Sequence, residues 1–328
     1  MSTLHITNGD SAGDKLRQIV KGAVTITADP LHEGPAPPVD GDGWHDVRAR
    51  FLAWDGDTTR GEIKKQLAAW DRTIVDGHRA GDIVLWFEHD LFDQLALIRT
   101  LDLIGGPEQA ALDSKVSLIC IDGFPGVDRF IGLGQLTPGQ LAELVGTERP
   151  VTSEQYALAS RAWKAFRSPD PTELLTLTVK ADTSRCLPFL RDALLRFFAE
   201  YPSAANGLSR TEELAVGALR DGAMTGGALF VIAQALEPRP FLGDTTFFGI
   251  LRALGSARVP LVTISGGPEA LDLGSHVMTI TDAGREVLAG RSDHIALNGI
   301  DRWRGGVHLT GRDTALWRWD ARSETLVS

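Results

Sequence analysis

Cysteine is scarce in this chain of 328 residues: only Cys120 and Cys186 occur, far apart and in apolar stretches. Neither cysteine has the spacing of a zinc ligand, which excludes a cysteine-held zinc site and favours a reduced, cytoplasmic protein. Long hydrophobic runs are missing as well, because no stretch of about 18 apolar residues occurs, so we expect no membrane span. The opening residues, MSTLHITNGD, lack a basic start followed by an apolar stretch, and no secretory signal is expected.

Positive charge is also in short supply, with 33 Lys and Arg against 43 Asp and Glu and a net charge of −10. This balance disfavours a nucleic-acid partner held by phosphate neutralisation over the whole surface, although one local basic face remains open. Residues 206–328 contain no lysine; they contain 12 Arg and 14 Asp or Glu. The motifs of serine hydrolases (G-x-S-x-G), zinc proteases (H-E-x-x-H) and kinases are absent, so no common catalytic class is indicated.

Short apolar runs alternate with helix-like segments over residues 1–145. The predicted strands are TLHIT (3–7), AVTITA (23–28), DIVLWFE (82–88) and KVSLICID (115–122). The third is apolar throughout between Asp82 and Glu88, which is typical of a central strand in a parallel sheet. The pattern predicts an α/β fold with a doubly wound, mostly parallel, Rossmann-like sheet.

The rest of the chain changes character twice. A linker is expected near 143–152, and residues 146–205 form a predicted helical connector. In residues 206–328, three helices precede two strands, the first helix opening with a capping box of Ser209 and Glu212. This order predicts a winged-helix-like domain, followed by a β tail rich in Trp and Gly.

Polar side chains follow each of the four predicted strands. Ligands of open α/β sheets bind at the carboxyl ends of the strands, so we expect these groups to converge on one rim. In strand order they are Asn8, Gly9, Asp10 and Ser11; Asp29, His32 and Glu33; Glu88, His89, Asp90, Asp93 and Gln94; and Asp122.

The first motif, NGDSAG, places a glycine turn between a strand and a helix. Backbone N–H groups at such a helix start suit a phosphate or carboxylate. Asp10 would repel that anion, and a bridging divalent cation would resolve the conflict. The simpler alternative is that Asp10 or Ser11 only caps the helix.

The motifs LHEGP and FEHDLFDQ carry the other candidates. His32 and Glu33 lie in a proline-rich loop. His32 is expected to serve as a general base or acid, and the alternative is that it only forms a hydrogen bond with the backbone. Burying Glu88, His89 and Asp90 together is costly unless they are paired or ligate something. The alternative is a helix cap, Asp90, beside surface acids.

Two further features are given structural roles. His5, inside the first strand, is interpreted as a hydrogen-bonded core residue. In GLGQLTP, Gly132 and Gly134 are expected to serve a turn before a helix capped by Thr137, with Pro138 at its first position.

Four motifs in this order, LHITNGDSAG, LHEGP, FEHDLFDQLALIRTL and GLGQLTPGQL, resemble the bacterial family called domain of unknown function 1835. The resemblance covers roughly the first 150 residues, and LTGRDTALWRWD and HIALNGIDRWRGGVHL resemble the tail usually joined to that domain. It implies no substrate and no catalytic assignment. It implies only that the candidate residues of the first three motifs stand at family motif positions.

The sequence therefore predicts an enzyme, a hydrolase or transferase, acting on a phosphorylated or nucleotide-like small molecule. The expected roles are catalysis by His32, Glu33, Glu88 and His89, substrate binding by Asn8, Gly9, Ser11, Asp93 and Gln94, and binding of Mg²⁺ or Mn²⁺ by Asp10, Glu88 and Asp90. One alternative is a ligand-sensing regulator that contacts DNA through the winged-helix-like domain. Another is an interaction protein, a homodimer whose contact includes Trp303, Trp317 and Trp319, unless these tryptophans are ordinary core.

Overall fold

The computed structural model describes residues 3–53, 58–105, 115–312 and 316–328. These residues contain 14 α-helices and divide into two compact units. The first unit is Met1–Leu194 with Trp303–Val307, and the second is Leu195–Arg302 with His308–Ser328. The predicted division of the chain at 145 and 205 stays a prediction.

The first unit is built on a central sheet that is parallel apart from one edge strand. Its strands run in the order β2-β1-β4-β5-β6, and only β6 is antiparallel to its neighbour. The mixed α/β fold with a parallel central sheet is thus confirmed, and all four predicted strands are present. The strands of this unit are β1 (Leu4–Asn8), β2 (Ala23–Thr27), β3 (Gly34–Pro35), β4 (Ile83–Glu88), β5 (Val116–Ile121) and β6 (Arg149–Pro150).

Helices contact both faces of this sheet. The helices that begin in the unit are α1 (Asp10–Ile19), α2 (Gly41–Leu52), α3 (Arg60–Ala80), α4 (Leu91–Ile104), α5 (Pro138–Leu144), α6 (Ser153–Phe166), α7 (Thr172–Val179), α8 (Ala181–Cys186) and α9 (Leu190–Phe198). Trp86 packs with Leu16 of α1, while Leu4 on the opposite face lies against Gly77 of α3. Since successive side chains of a strand alternate between faces, both faces of β4 are covered, which explains its apolar run.

Local sequence signals place the ends of several helices. Thr59 and Thr137 each form a capping box at the start of α3 and α5, and Pro138 is the first residue of α5 as predicted. The buried residues Ile63, Leu67 and Ile74 of α3 follow the predicted helical spacing. Neither Asp10 nor Ser11 caps α1, however, because the N-cap is Gly9 and no side chain accepts a hydrogen bond there.

Two short strands were not predicted. β6 lies in the segment expected to be a linker and pairs with Ser117 and Leu118, which covers the edge of β5. β3 pairs in parallel with Arg304 and Gly305, residues from far along the chain that belong to the same unit. The interpretation of His5 as a hydrogen-bonded core residue is confirmed, because the Trp86 indole N–H donates to its Nδ1 over 3.1 Å.

The second unit combines short helices with small antiparallel sheets. Its helices are α10 (Arg210–Ala218), α11 (Gly226–Leu236), α12 (Asp244–Ser256), α13 (Asp282–Leu288) and α14 (His294–Asn298). Its strands are β7 (Met224–Thr225), β8 (Val262–Ile264), β9 (Val277–Ile280), β12 (Arg318–Asp320) and β13 (Thr325–Val327), and β10 (Ile300–Gly305) and β11 (Val307–Gly311) lie partly in it. β9 pairs with both β7 and β8, and the predicted capping box of Ser209 and Glu212 opens α10. The winged-helix assignment stays a prediction.

Trp319 in the C-terminal tail is a core residue of the second unit. Its side chain is buried and stacks on Phe198, with the ring centroids 5.7 Å apart and an interplanar angle of 15°. The core interpretation is thereby confirmed for Trp319. In the described parts of the chain, no helix combines the length and the apolar character that crossing a bilayer requires.

Candidate functional site

The junction between β4 and α4 gathers three acidic side chains at the carboxyl edge of the central strand. β4 ends at Glu88, and the Asp90 carboxylate accepts the backbone N–H of Asp93 over 3.0 Å as the N-cap of α4. Capping by Asp90 was one of the alternatives, and it is confirmed. Glu88, Asp90 and Asp93 are all buried, and one ligand atom of each lies within 4.8 Å of the others.

Asp93 connects this cluster to the end of β1. One carboxylate oxygen accepts a hydrogen bond from the Asn8 amide over 2.7 Å, and the other accepts the backbone N–H of Glu88 over 3.1 Å. Gln94, next in α4, donates to the backbone carbonyl of Glu88 over 2.5 Å. Two strands and one helix therefore fix the position of the acidic cluster, and the predicted residues Asn8, Asp93 and Gln94 all lie there.

The segment 132–134 covers the Glu88 carboxylate. The backbone N–H of Leu133, the first residue of a 3₁₀ turn over Leu133–Gln135, donates to Glu88 Oε1. A Cβ at Gly132 would lie 2.3 Å from Glu88 Oε2, and the φ of Gly132 is +150°, so only glycine fits here. The turn predicted at Gly132 and Gly134 is present. Its contact with Glu88 was not predicted from the sequence.

The same segment is held from its other side by α1. Ser11 Oγ donates to the Gly134 carbonyl over 3.0 Å, and the Lys15 ammonium donates to the same oxygen. The start of α1 and the cover of the acidic cluster therefore touch each other. Ser11 thus contacts the cover of the acidic cluster.

Burial makes negative charge expensive in this cluster. It is the largest cause that raises the pKa of Glu88 and of Asp90 well above the ordinary range, and neighbouring carboxylates raise both further. Burial also raises the pKa of Asp93 to about 6, against the lowering effect of the Asn8 hydrogen bond. Three such groups need protons or a bound cation to compensate their charge at neutral pH.

The donor set fits a hard divalent cation. Mg²⁺, Mn²⁺ and Ca²⁺ prefer carboxylate oxygens, whereas zinc and softer ions favour histidine and cysteine. Glu88, Asp90 and Asp93 would hold the ion, so the cluster includes Asp93, predicted to bind substrate. Asp10, predicted as a metal ligand, is instead exposed in the first turn of α1 and is not a member of the cluster.

The His32–Glu33 loop is fixed by a residue that sequence reasoning missed, Arg48 of α2. Its guanidinium is completely buried and pairs with Asp29 over 2.6 Å. It also donates to three backbone carbonyls of the loop, those of Pro30, Glu33 and Pro35, over 3.2, 2.7 and 3.2 Å. These contacts use all of its N–H groups, so the loop has one defined shape.

His32 lies next to the first turn of α4. Its ring centroid is 5.5 Å from that of Phe92, the residue before Asp93, and its Nε2 is 3.2 Å from a Glu33 carboxylate oxygen. This places the loop beside the helix that carries two of the three acids. His32 thus packs against Phe92, which lies between Asp90 and Asp93 in the chain.

His89 is surrounded by aromatic rings. It is buried, with Phe130 and Phe189 at centroid distances of 5.8 and 6.2 Å. Successive side chains of a strand alternate between faces, and the three-acid cluster does not contain His89. A catalytic role for His89 stays a prediction.

No family model and no curated protein matches the chain. A solved structure of the DNA-binding, cleavage and re-ligation domain of topoisomerase II from Plasmodium falciparum aligns with a TM-score of 0.45 and 11% identity. The alignment covers 99% of this chain and 54% of that one, so the chain spans about half its length. A likeness at this level carries no functional argument.

Proposed function

We propose that the protein is a metal-dependent hydrolase or transferase that acts on a phosphorylated or nucleotide-like small molecule. The observation that carries this proposal is the buried cluster of Glu88, Asp90 and Asp93, whose ligand atoms lie within 4.8 Å of one another. Surface acids are solvated and need no partner, but three buried carboxylates are unstable without compensation. A Mg²⁺ or Mn²⁺ ion would supply that compensation and would polarise a phosphoryl oxygen.

The start of α1 supports an anionic substrate. Gly9 caps this helix with φ +76° and without a side-chain hydrogen bond, which leaves the backbone N–H groups of the first turn for another acceptor. Asn8, the preceding residue, donates to Asp93 in the acidic cluster. A phosphate bound at this helix start would lie close to an ion held by the cluster, and the positive end of the helix would favour it.

A cleft beside the start of α1 supports a substrate larger than phosphate. It has a volume of about 510 Å³ and is lined by Asp10 and Arg17 of α1, the outer edge of β2, and apolar residues of α3 that include Trp70. Small-molecule sites commonly occupy about 300–1,000 Å³ and combine apolar walls with a few polar groups. A nucleoside or similar ring system suits this cleft, and Asp10 would then contact substrate rather than metal.

The proton-transfer role falls to His32 and Glu33. Arg48 holds their loop rigidly, and the His32 ring packs against the start of α4. A positioned imidazole beside a metal site is suited to act as a general base or acid.

Metal binding is the first test. Isothermal titration of Mn²⁺ into the metal-free protein should show one site, which Glu88→Gln and Asp93→Asn abolish or weaken by at least tenfold. Asp10→Asn is the matched control, since it removes an acid near α1 that lies outside the cluster. If wild-type protein binds no Mn²⁺ at millimolar concentration, or if Asp10→Asn is as damaging as Glu88→Gln, the metal site is wrong.

Activity is the second test. Phosphate release from nucleotides and sugar phosphates should require Mg²⁺ or Mn²⁺ and should fall by about 10²- to 10⁴-fold in His32→Ala. A metal-binding protein that turns over no member of such a panel would leave the ion site intact but would refute the proposed chemistry.

The family assignment and the cellular location remain proposals. The motifs that resemble domain of unknown function 1835 supply Asn8, Glu88 and Asp93 of the site together with its cover at 132–134. We propose that the shared motifs build one carboxyl-edge site throughout that family. A cytoplasmic protein that takes a small-molecule substrate is consistent with the reduced cysteines and the chemistry proposed for the site.

The alternative function, a ligand-sensing DNA-binding regulator, is supported only by element order in the second unit. There α10, α11 and α12 precede the antiparallel pair of β8 and β9, as in winged-helix domains. The only cationic residue of α12, Arg252, donates to the carbonyls of Pro268 and Ala270, so its guanidinium is engaged within the unit. A gel shift with mixed DNA at low salt decides the matter, because retardation by this acidic protein would favour the regulator.

A further inference from the structure

The second unit contains a small polar cavity that has no part in the site described above. Its volume is about 170 Å³, and its polar lining includes Glu212 of α10, His294 and Asn298 of α14, and Arg302 of β10. Ala253, Leu254 and Ala257 supply an apolar wall. Such a space holds about five waters or a molecule of roughly nine non-hydrogen atoms.

The backbone fixes the tautomer of His294. Asn298 Oδ1 accepts the backbone N–H of Val259 over 2.8 Å, which identifies the other amide atom as nitrogen. That nitrogen donates to the Val259 carbonyl over 3.1 Å and lies 3.2 Å from His294 Nδ1. An amide nitrogen can only donate, so Nδ1 accepts, and the proton of the neutral ring is on Nε2.

His294 therefore presents a hydrogen-bond donor to the cavity. The residue is 8% exposed, and its Nε2 has no hydrogen-bond partner among the residues that the structure describes. Burial lowers the pKa of His294, which favours the neutral ring. His294 Nε2 is not one of the fully buried polar atoms that lack a partner, so an acceptor that enters the cavity can reach this N–H.

The charges around the cavity disfavour an anion. Arg302 donates to Glu212 over 2.7 Å, so these two charges compensate each other. Burial raises the pKa of Glu212, but the charge of Arg302, the charge of His294 when it is protonated, and the hydrogen bonds from Arg302 and Ser209 lower it to about 2, so the group is a carboxylate. Asp301, also in the lining, adds a largely exposed carboxylate whose Oδ1 lies 2.7 Å from His308 Nε2. A ligand that bonds to His294 should be uncharged and should carry a donor for these carboxylates.

We propose that this cavity binds a small uncharged carboxamide whose carbonyl oxygen accepts from His294 Nε2 and whose N–H groups donate to the neighbouring carboxylates. The planar amide places acceptor and donor side by side, matching the donor of His294 and the acceptors of Glu212 and Asp301. An apolar ring attached to the carboxamide would pack against Ala253, Leu254 and Ala257. The site lies within the second unit and is independent of the metal site.

Benzamide is the probe, and ¹⁵N-histidine NMR of the full chain is the measurement. The free protein should show His294 with Nδ1 unprotonated and Nε2 protonated, and benzamide should shift the Nε2 signal saturably. Benzoate should bind at least tenfold more weakly because it is anionic, and N,N-dimethylbenzamide should do so because it lacks N–H donors. Roughly tenfold is the loss expected for one hydrogen bond.

Two variants and one control complete the test. Ligand-observed NMR should show benzamide binding lost at least tenfold in His294→Phe and in Ala253→Phe, where an exposed wall residue is enlarged to fill the cavity. His276→Phe is the control, because His276 of the same unit bonds to the Asp272 carbonyl and is not in the lining. If His294→Phe does not fold, Ala253→Phe decides.

The proposal is overturned by any of four results. These are a His294 ring protonated on Nδ1, no saturable shift up to the solubility limit of benzamide, equal binding of benzoate, or unchanged binding in Ala253→Phe.

Discussion

The metal-free protein should lose stability as the pH rises, and Asp93 is the residue that shows this most directly. Burial raises its pKa from 3.8 to about 6, so the folded protein holds this proton more tightly than the unfolded chain does. The stabilisation from the protonated group is complete below pH 3.8 and is lost as the pH rises through about 6. The difference of roughly two pH units corresponds to about 3 kcal/mol.

Asp93→Asn removes this ionisation and keeps a side-chain oxygen for the backbone N–H of Glu88. It also removes an acid from the first turn of α4, which costs about 0.3–1 kcal/mol. We therefore expect the metal-free variant to exceed the wild type by about 2 kcal/mol in free energy of unfolding at pH 8. At pH 4 the two proteins should be nearly equal, because Asp93 is protonated in the wild type.

Urea denaturation in EDTA at pH 4, 6 and 8 measures the free energy of unfolding of the wild type and of Asp93→Asn. The same series is then repeated with Mn²⁺. An ion at 100 times its dissociation constant stabilises the folded state by about 2.7 kcal/mol. If Asp93→Asn abolishes metal binding, Mn²⁺ at this concentration should therefore reverse the order at pH 8 and make the wild type the more stable protein. The reasoning is refuted if the variant is less stable at both pH extremes in EDTA, or if Mn²⁺ stabilises both proteins equally.

Three further predictions test the surroundings of both sites. Gly132→Ala should destabilise the folded protein by about 1–3 kcal/mol and weaken Mn²⁺ binding, because the new Cβ would lie 2.3 Å from a Glu88 carboxylate oxygen. Gly123→Ala is the control and should do neither, because nothing lies within 4 Å of a Cβ there. Arg48→Lys should cost about 3–5 kcal/mol in urea unfolding and lower any His32-dependent activity, whereas Arg50→Lys on the exposed side of α2 should change little. Glu212→Gln should lose about 3 kcal/mol above pH 4.5 and progressively less as the pH falls toward 2, because the folded pKa is about 2; an equal loss at pH 3 and pH 7 would contradict this.

The fold of the first unit could be predicted because its signals are local. β4 is an apolar run up to its last residue, Glu88, and α3 repeats its buried residues at helical spacing. β3 and β6 could not be predicted in this way, since each has two residues and exists through its partner strand. β3 depends on Arg304 and Gly305, which no local pattern connects to Gly34.

The candidate site likewise combines residues that are close in the sequence with contacts between distant segments. Glu88, Asp90 and Asp93 lie within six residues, so a cap and a strand end were enough to place them together. The cover of Glu88 by Leu133 depends on how two distant loops meet, and a glycine pair alone does not encode it. Asp10 is exposed and is not part of this buried group, and its role as a metal ligand stays a prediction.

Arg48 makes the loop over 29–35 and α2 a single cooperative element. The loop has few apolar side chains of its own, and its carbonyls depend on a guanidinium that only a folded α2 delivers. Opening of the helix must release the histidine loop at the same moment, so amide protons of both should exchange with solvent at one common rate. Evolution or engineering can then adjust the loop only together with the helix beneath it.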